Sequence, residues 1–320
     1  MLHSRALLLG LMLVFAFLAL ADTPNQSTPY WAFCLNPVGA AAKTDDKVRH
    51  VPNSSATFTT AQTQDLFNVP DWYPGAHPLM PEIVAHGRKP DVFACGYCHL
   101  PNGLGRPENA SLAGLPAAYI IHQMTDFRSG ARKSSEPKHL PSTNMITRET
   151  KATREEIAAA AKYFSELPRK PWIRVIETNT VPTTHVSGWM LVADSPAATE
   201  SIGQRIIEMP EDLERTEVRD DVSGFVAYVP EGSLKKGRWL VTGEGGKSAP
   251  CAKCHGPGLR GSGNVPAIAG RSPSYIVRQL FDMKSGARSG ALSLEMRRQV
   301  VKLSIDDMIA IAAFVSSLKP

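Results

Sequence analysis

The chain has 320 residues, a formal charge of +5, 43% hydrophobic residues and 20% charged residues. That length admits two or three small domains, and the composition excludes collagen, coiled coil and wholesale disorder. Lys and Arg are scattered, with no five clustered, which excludes a nucleic-acid-binding stripe.

Residues 1–21 read MLHSRALLLGLMLVFAFLALA. Arg5 gives a positive head, 6–20 an apolar run, and Ala19 and Ala21 the small residues of a cleavage site. The pattern predicts a secretory signal peptide. An uncleaved anchor is the alternative, but the run is short for a spanning helix, which needs about 20 apolar residues. No later stretch is long and apolar enough to span a bilayer. The mature chain is therefore expected in the periplasm, with no integral membrane span. Arg5 is the one charged residue lost, leaving 34 cations against 30 anions, or +4.

Residues 22–82 are rich in Pro, Ser, Thr and Asn and end in VPDWYPGAHPLMP (69–81). They predict extended chain, packed over the following domain near its end and mobile at its start. Cys34 lies here, as a free thiol, an intermolecular bridge or, less simply, a haem ligand.

The next stretch is CGYCH (95–99), and 156 residues later stands CAKCH (251–255). C-x-x-C-H is the attachment signature of c-type haem. Two thiols two residues apart can each add to a porphyrin vinyl group, and the histidine on the same helical turn lies under the iron. A redox dithiol or a zinc site would not explain why a histidine follows both times. Cys95, Cys98, Cys251 and Cys254 are thus the expected attachment thiols, for two covalently attached haem c groups. His99 and His255 are the expected proximal ligands.

The surroundings repeat as well. Between 95–132 and 251–288, fifteen of 38 aligned pairs are identical, including Tyr119 with Tyr275, Gln123 with Gln279, and Ser-Gly-Ala-Arg at both ends. After a five-residue contraction, 145–167 falls on 296–318. Two copies of one domain follow, 83–168 and 244–320. Within each, 119–128 or 275–284 has helical spacing, with Gly130 or Gly286 as the stop. The last helix opens with a capping box, Thr153-x-x-Glu156 or Ser304-x-x-Asp307. Its buried face is expected at Ile157, Ala160, Ala161 and Phe164, or Met308, Ile311, Ala312 and Val315. Copies under 90 residues bury a small core alone, and a haem would fill much of it.

Met145 and Met296 are equivalent under the repeat, and a thioether at the sixth iron position raises the potential. They are the expected distal ligands. Met124, His122, His139 and Met283 have no matching partner and are expected to be packing or surface residues. A backbone carbonyl, at Ala110 or Pro266, is the expected acceptor for the second ring nitrogen of each histidine. Arg132 and Arg288 are either partners of haem propionates or surface residues near a helix end.

Between the copies, 169–243 holds WIRVIETNTV (172–181), QRIIEM (204–209) and GFVAYV (224–229), β-branched runs divided by Pro, Gly and Asn. A small β-rich module is expected, as a spacer or a docking surface. It holds one histidine, His185, and no cysteine.

C-x-x-C-H, Ala-Gly, a Tyr-x-x-x-Gln helix, Ser-Gly-Ala-Arg, a methionine and a capped last helix resemble class I cytochrome c domains. Their tandem arrangement resembles the di-haem cytochrome c4 type. The resemblance covers roughly half the chain. It implies a mainly α fold of two tandem class I cytochrome c domains, here with a small β-rich insertion between them, and His/Met iron. The long segments 22–82 and 169–243 depart from that pattern. The implied function is single-electron transfer between periplasmic redox proteins or membrane respiratory complexes, not catalysis. The alternatives are an electron-accepting subunit of a periplasmic dehydrogenase, or a di-haem enzyme of the peroxidase or thiosulfate dehydrogenase type, which would need an exchangeable sixth position.

Overall fold

A computed structural model describes residues 28–37, 45–195 and 197–320. The expected signal peptide, 1–21, lies outside them. Among the described residues no helix is long and apolar enough to cross a membrane.

The first repeat supplies helices α1 (Cys95–His99), α2 (Ala117–Ser129), α3 (Leu140–Thr147) and α4 (Arg154–Glu166). Helix α2 stops where the sequence demands: Gly130 takes φ 75° and donates its N–H to Phe127 O, a left-handed position that costs glycine little. Thr153 caps α4 with a full capping box to Glu156, and Ile157, Ala160, Ala161 and Phe164 are buried as the spacing predicts.

The intervening module folds around a three-stranded sheet of β1 (Ile173–Glu177), β2 (Ile207–Pro210) and β3 (Phe225–Val229). Strand β3 is central, parallel to β1 with Ile173 opposite Phe225, and antiparallel to β2 with Ile207 opposite Tyr228. All three expected apolar runs are strands. Two small ladders add Thr180–Pro182 on Thr199–Ser201 and Thr184–Ser187 on Met190–Ala193.

The module's end is different. Residues 233–241, read within the β-rich stretch, form helix α5 (Ser233–Val241). It packs on the last helix of the second repeat, at a crossing so close that a Cβ on Gly237 would lie 2.0 Å from Ala310 O. The β signal stops near Pro230, and SLKKGRWLV follows helix preferences instead.

The second repeat repeats the plan with α6 (Ala252–His255), α7 (Pro273–Ser285), α8 (Leu294–Val300) and α9 (Ile305–Ser317). Gly286 ends α7 as Gly130 ends α2. Ser304 and Asp307 form the second capping box, above buried Met308, Ile311, Ala312 and Val315.

The expectation of a loose start to 22–82 needs correction for part of it. Tyr30–Phe33 is a helical turn with Ala32 and Phe33 fully buried, and Arg278 of α7 donates to Ala32 O at 2.5 Å. Phe33 supplies apolar area that a polar composition disguised. Later in the segment Trp72 is buried with Val51 and Val218, which ties 45–80 to the inserted module.

Candidate haem sites

In the first repeat, α1 presents Cys95, Cys98 and His99 to one cavity of about 730 Å³, its mouth included. The walls are apolar: Ile83, Phe93, Ile120, Ile157 and Phe164. Met145 of α3 and Met124 of α2 both line it. His99 Nδ1 lies 2.8 Å from Ala110 O; a carbonyl only accepts, so Nδ1 carries the proton and Nε2 is the nitrogen available to an iron. Burial pushes the imidazole down to about 4, which keeps it neutral. Burial also pushes the Cys98 thiol up to about 11 and Cys95 well above the ordinary range. Neutral, half-buried thiols against a largely apolar, porphyrin-sized hollow suit thioether attachment and not a thiolate redox pair. The residues present fit the group.

The second repeat has the same local geometry. His255 Nδ1 lies 2.8 Å from Pro266 O, burial lowers its pKa, and burial raises Cys251 to about 11. The carbonyl acceptor expected from the sequence is thus found in both copies. Met296, on α8, packs against the core that holds Ile276, Leu280 and Leu303.

Two differences separate the copies. Glu149 lines the first cavity at 9% exposure and accepts from Phe93 N; burial pushes it up to about 7. Its counterpart after the contraction is Val300, also buried. The second difference is exposure. Gly96 and Tyr97 of α1 are buried, whereas Ala252, Lys253 and Cys254 of α6 are exposed.

The copies meet through a local twofold relation. Arg132 Nη1 bonds Gln123 Oε1 at 2.9 Å, and its Nη2 reaches Tyr275 OH and Gln279 Oε1 at 3.2 and 3.1 Å. Arg288 returns each contact: Gln279 at 2.9 Å, Tyr119 OH at 2.9 Å and Gln123 at 2.7 Å. Backbone bonds Lys133 N to Ala287 O (2.8 Å) and Ser289 N to Ala131 O (2.7 Å) flank the pair. Both arginines are buried, so the surface reading is overturned. A second hollow runs from His99, Met124 and Met145 to Arg132, Tyr275, Arg278 and Gln279. Helix α7 of the second copy therefore closes the inner end of the first cavity.

Of the rivals set aside by sequence, Met124 does line the first cavity, and His139 is a buried residue at its inner end, 1% exposed, with Nδ1 on Ser142 Oγ at 2.8 Å. Neither has a counterpart in the other copy, which is why pairwise matching missed them. Met283 is core, and His122 lies beside Asp126. His185 is exposed and bonds Asp194 at 2.7 Å. Cys34 is a free thiol, pushed up to about 12 by burial, donating to Trp31 O; it is not among the residues lining the first cavity.

No protein-family model matches the chain. Among curated proteins it is 29% identical over 207 residues to the thiosulfate dehydrogenase electron acceptor of Thiomonas intermedia, across 63% of this chain and 67% of that one. It is 37% identical over 82 residues to cytochrome c4 of Azotobacter vinelandii, across 23% of this chain and 39% of that one. Among solved structures, thiosulfate dehydrogenase TsdBA from Marichromatium purpuratum superposes with a TM-score of 0.47 and 25% identity, over 73% of this chain and 38% of that one. That score is too low to transfer any arrangement of parts.

Two helices, each bearing C-x-x-C-H and a neutral buried imidazole, suit a c-type cytochrome, and the relatives above are consistent with two covalently attached haem c groups. Within that class the chain resembles the di-haem cytochromes c4 and is an electron-transfer cytochrome.

Proposed function

We propose that this chain carries single electrons between redox proteins of the periplasm, and that it does not turn over a substrate. On this reading it is exported by a signal peptide at 1–21 and built from two tandem class I cytochrome c domains, 83–168 and 244–320, with α5 serving the second. Cys95, Cys98, Cys251 and Cys254 attach the haems, His99 and His255 are the proximal ligands, and Met145 and Met296 the distal ones. When bound, each haem supplies a one-electron Fe(III)/Fe(II) couple. The chain's own residues do the rest. Ala110 and Pro266 carbonyls fix the imidazole tautomers. Ile83, Phe93, Ile157 and Phe164 exclude water from the first site. The single observation that carries the reading is the twofold recurrence of histidine, carbonyl acceptor and downstream methionine in one chain.

The test is denaturing mass spectrometry with carbon monoxide binding to the reduced protein. Two haem masses and slow binding at both irons are expected. One haem, or fast binding with sustained turnover of peroxide or thiosulfate, overturns the reading.

A second reading is favoured by one observation. The 207-residue match to a protein named as a thiosulfate dehydrogenase electron acceptor is longer than either repeat, so it includes parts outside a single cytochrome unit. On that reading the chain accepts electrons from a dedicated periplasmic dehydrogenase. Rapid reduction by a thiosulfate dehydrogenase supplied with thiosulfate supports it, and reduction no faster than that of an unrelated cytochrome refutes it.

A further inference from the structure

The two attachment helices face different surroundings, and the inserted module causes the difference. Arg219 lies over the ring of Tyr97, its guanidinium carbon 3.5 Å from the ring centroid, and donates Nη1 to Tyr97 O at 2.9 Å. Tyr97 stands between the two attachment cysteines. Trp72 Nε1 donates to Val218 O at 2.9 Å, Asn102 donates to Asp221 O, and Arg106 donates to Thr216 O at 3.3 Å and Gly188 O at 3.0 Å. The stretch 216–221 is therefore bolted to the loop that carries CGYCH. Arg219 holds a left-handed backbone, φ 59°, a conformation unusual outside glycine, which the surrounding contacts must maintain.

Among the described residues the second helix has no such cover. Lys253, at the position of Tyr97, is exposed, and so is Cys254. The loop before it is tied to α8 by Ala249 N to Gln299 Oε1 at 2.9 Å. Helix α8 carries exposed Arg297 and Arg298, and exposed Leu294 lies beside them, with Leu292 just before and Val301 just after the helix. Charge follows the same division. Residues 244–320 hold eleven Lys and Arg against five Asp and Glu, while 169–243 hold nine against eleven. Arg271, Arg278 and Arg288 are buried and Arg298 is paired with Glu295, which leaves Lys253 and Arg297 among the exposed cations near these apolar side chains. Exposed apolar residues on a net basic unit suit a partner with an acidic face, whose approach the charge steers.

We propose that 216–221 closes the attachment edge of the first unit, and that an acidic redox protein docks on the second unit around Lys253 and α8. External electrons then enter or leave by the second unit, and the first exchanges with it across the Arg132–Arg288 contact. This rests on the two-haem reading above and adds which edge is used.

The experiment takes the di-haem protein, its haem count confirmed by mass, and follows oxidation by ferricyanide and by the cationic tris(phenanthroline)cobalt(III) in stopped flow. Binding of poly-L-glutamate, as a stand-in for an acidic surface, is measured by calorimetry. Lys253→Glu is expected to slow one ferricyanide phase several-fold at low ionic strength, to spare or speed the cobalt reaction, and to weaken poly-L-glutamate binding several-fold. Lys253 is exposed, so folding should be untouched. Arg219→Ala is expected to speed the other phase and to open Tyr97 to nitration by tetranitromethane, with Arg219→Lys intermediate. Unchanged kinetics and binding in Lys253→Glu, equal slowing of both phases, or ready nitration of Tyr97 in the wild type would each overturn the proposal. Fewer than two haems would instead overturn the reading on which it rests.

Discussion

The two repeats share their scaffold and differ in what surrounds it. Both have a capped last helix, a glycine-stopped long helix and a histidine held by a carbonyl eleven residues downstream. The first is covered by the inserted module and holds a carboxyl in its cavity; the second is open at its C-x-x-C-H turn and has buried Val300 at the position aligned with that carboxyl. On the proposed ligand assignment, the parts that set ligation are duplicated, and the parts that set charge and access are not. A chain with two identical couples gains little from the second, so divergence is expected where potential and partner choice are decided.

The largest test of the shared part is removal of the thioethers. Met145→Ala and Met296→Ala should each remove the thioether–iron near-infrared band of one haem. Each should lower that haem's potential by a sizeable fraction of the roughly 0.8 V that axial ligands span. Met124→Ala should leave both bands intact. Near-infrared spectra with redox titration decide, and loss of a band in Met124→Ala would move the ligand from α3 to α2.

Next in size is the contact between the copies. Arg132→Leu removes one bond within the first repeat, from buried Gln123, and two to the second, from half-buried Tyr275 and Gln279. A loss of about 2–4 kcal/mol is expected in denaturant unfolding, from broken charged hydrogen bonds and an unsatisfied buried group. Arg288→Leu should cost about the same, since its contacts mirror those of Arg132. Unequal costs would show that the twofold relation is geometric and not energetic.

Glu149 sharpens the contrast. With its pKa raised to about 7, it is neutral at pH 5 and charged at pH 9. A carboxylate near the iron favours the ferric state, so the first haem's potential should fall as pH rises through 7, and the second's should not. Glu149→Gln should abolish this fall, leaving the potential higher by tens of millivolts at pH 9 and unchanged at pH 5. That corresponds to about 1–2 kcal/mol for a charge several ångströms away in a partly polar interior. The same raised pKa gives stability that is present below about pH 4.5 and lost as pH rises through 7, so the variant should also gain stability at high pH.

The smallest effect tests sameness. Thr153→Ala and Ser304→Ala each remove a capping side chain, for about 1 kcal/mol apiece. Thermal unfolding should show similar losses.

Sequence made the duplicated part legible. The haem motifs, Gly130 and Gly286, both capping boxes and the buried faces of α4 and α9 are local patterns written twice, and each copy checks the other. What occurs once was harder to read. Glu149 is one acid among many until its burial is seen, and Val300 opposite it carries no signal. Arg219 reaches Tyr97 across 122 residues, a distance over which no periodicity speaks. Arg132 and Arg288 were visible as a pair, but their burial arises only when two copies meet. Helix α5 was hidden because its packing partner, α9, lies about seventy residues later.

The cross-bonded arginines have one further consequence. Contacts in which residue n of one half meets residue m of the other, and the reverse, are those of a symmetric homodimer. In a homodimer every substitution appears on both sides of the axis, so a carboxyl beside one cofactor means a carboxyl beside both. Covalent fusion lifts that constraint. One polypeptide can keep the symmetric handshake at Arg132 and Arg288 while placing Glu149 on one side and leaving Val300 on the other, and so hold two unlike redox centres at a fixed separation and a one-to-one ratio.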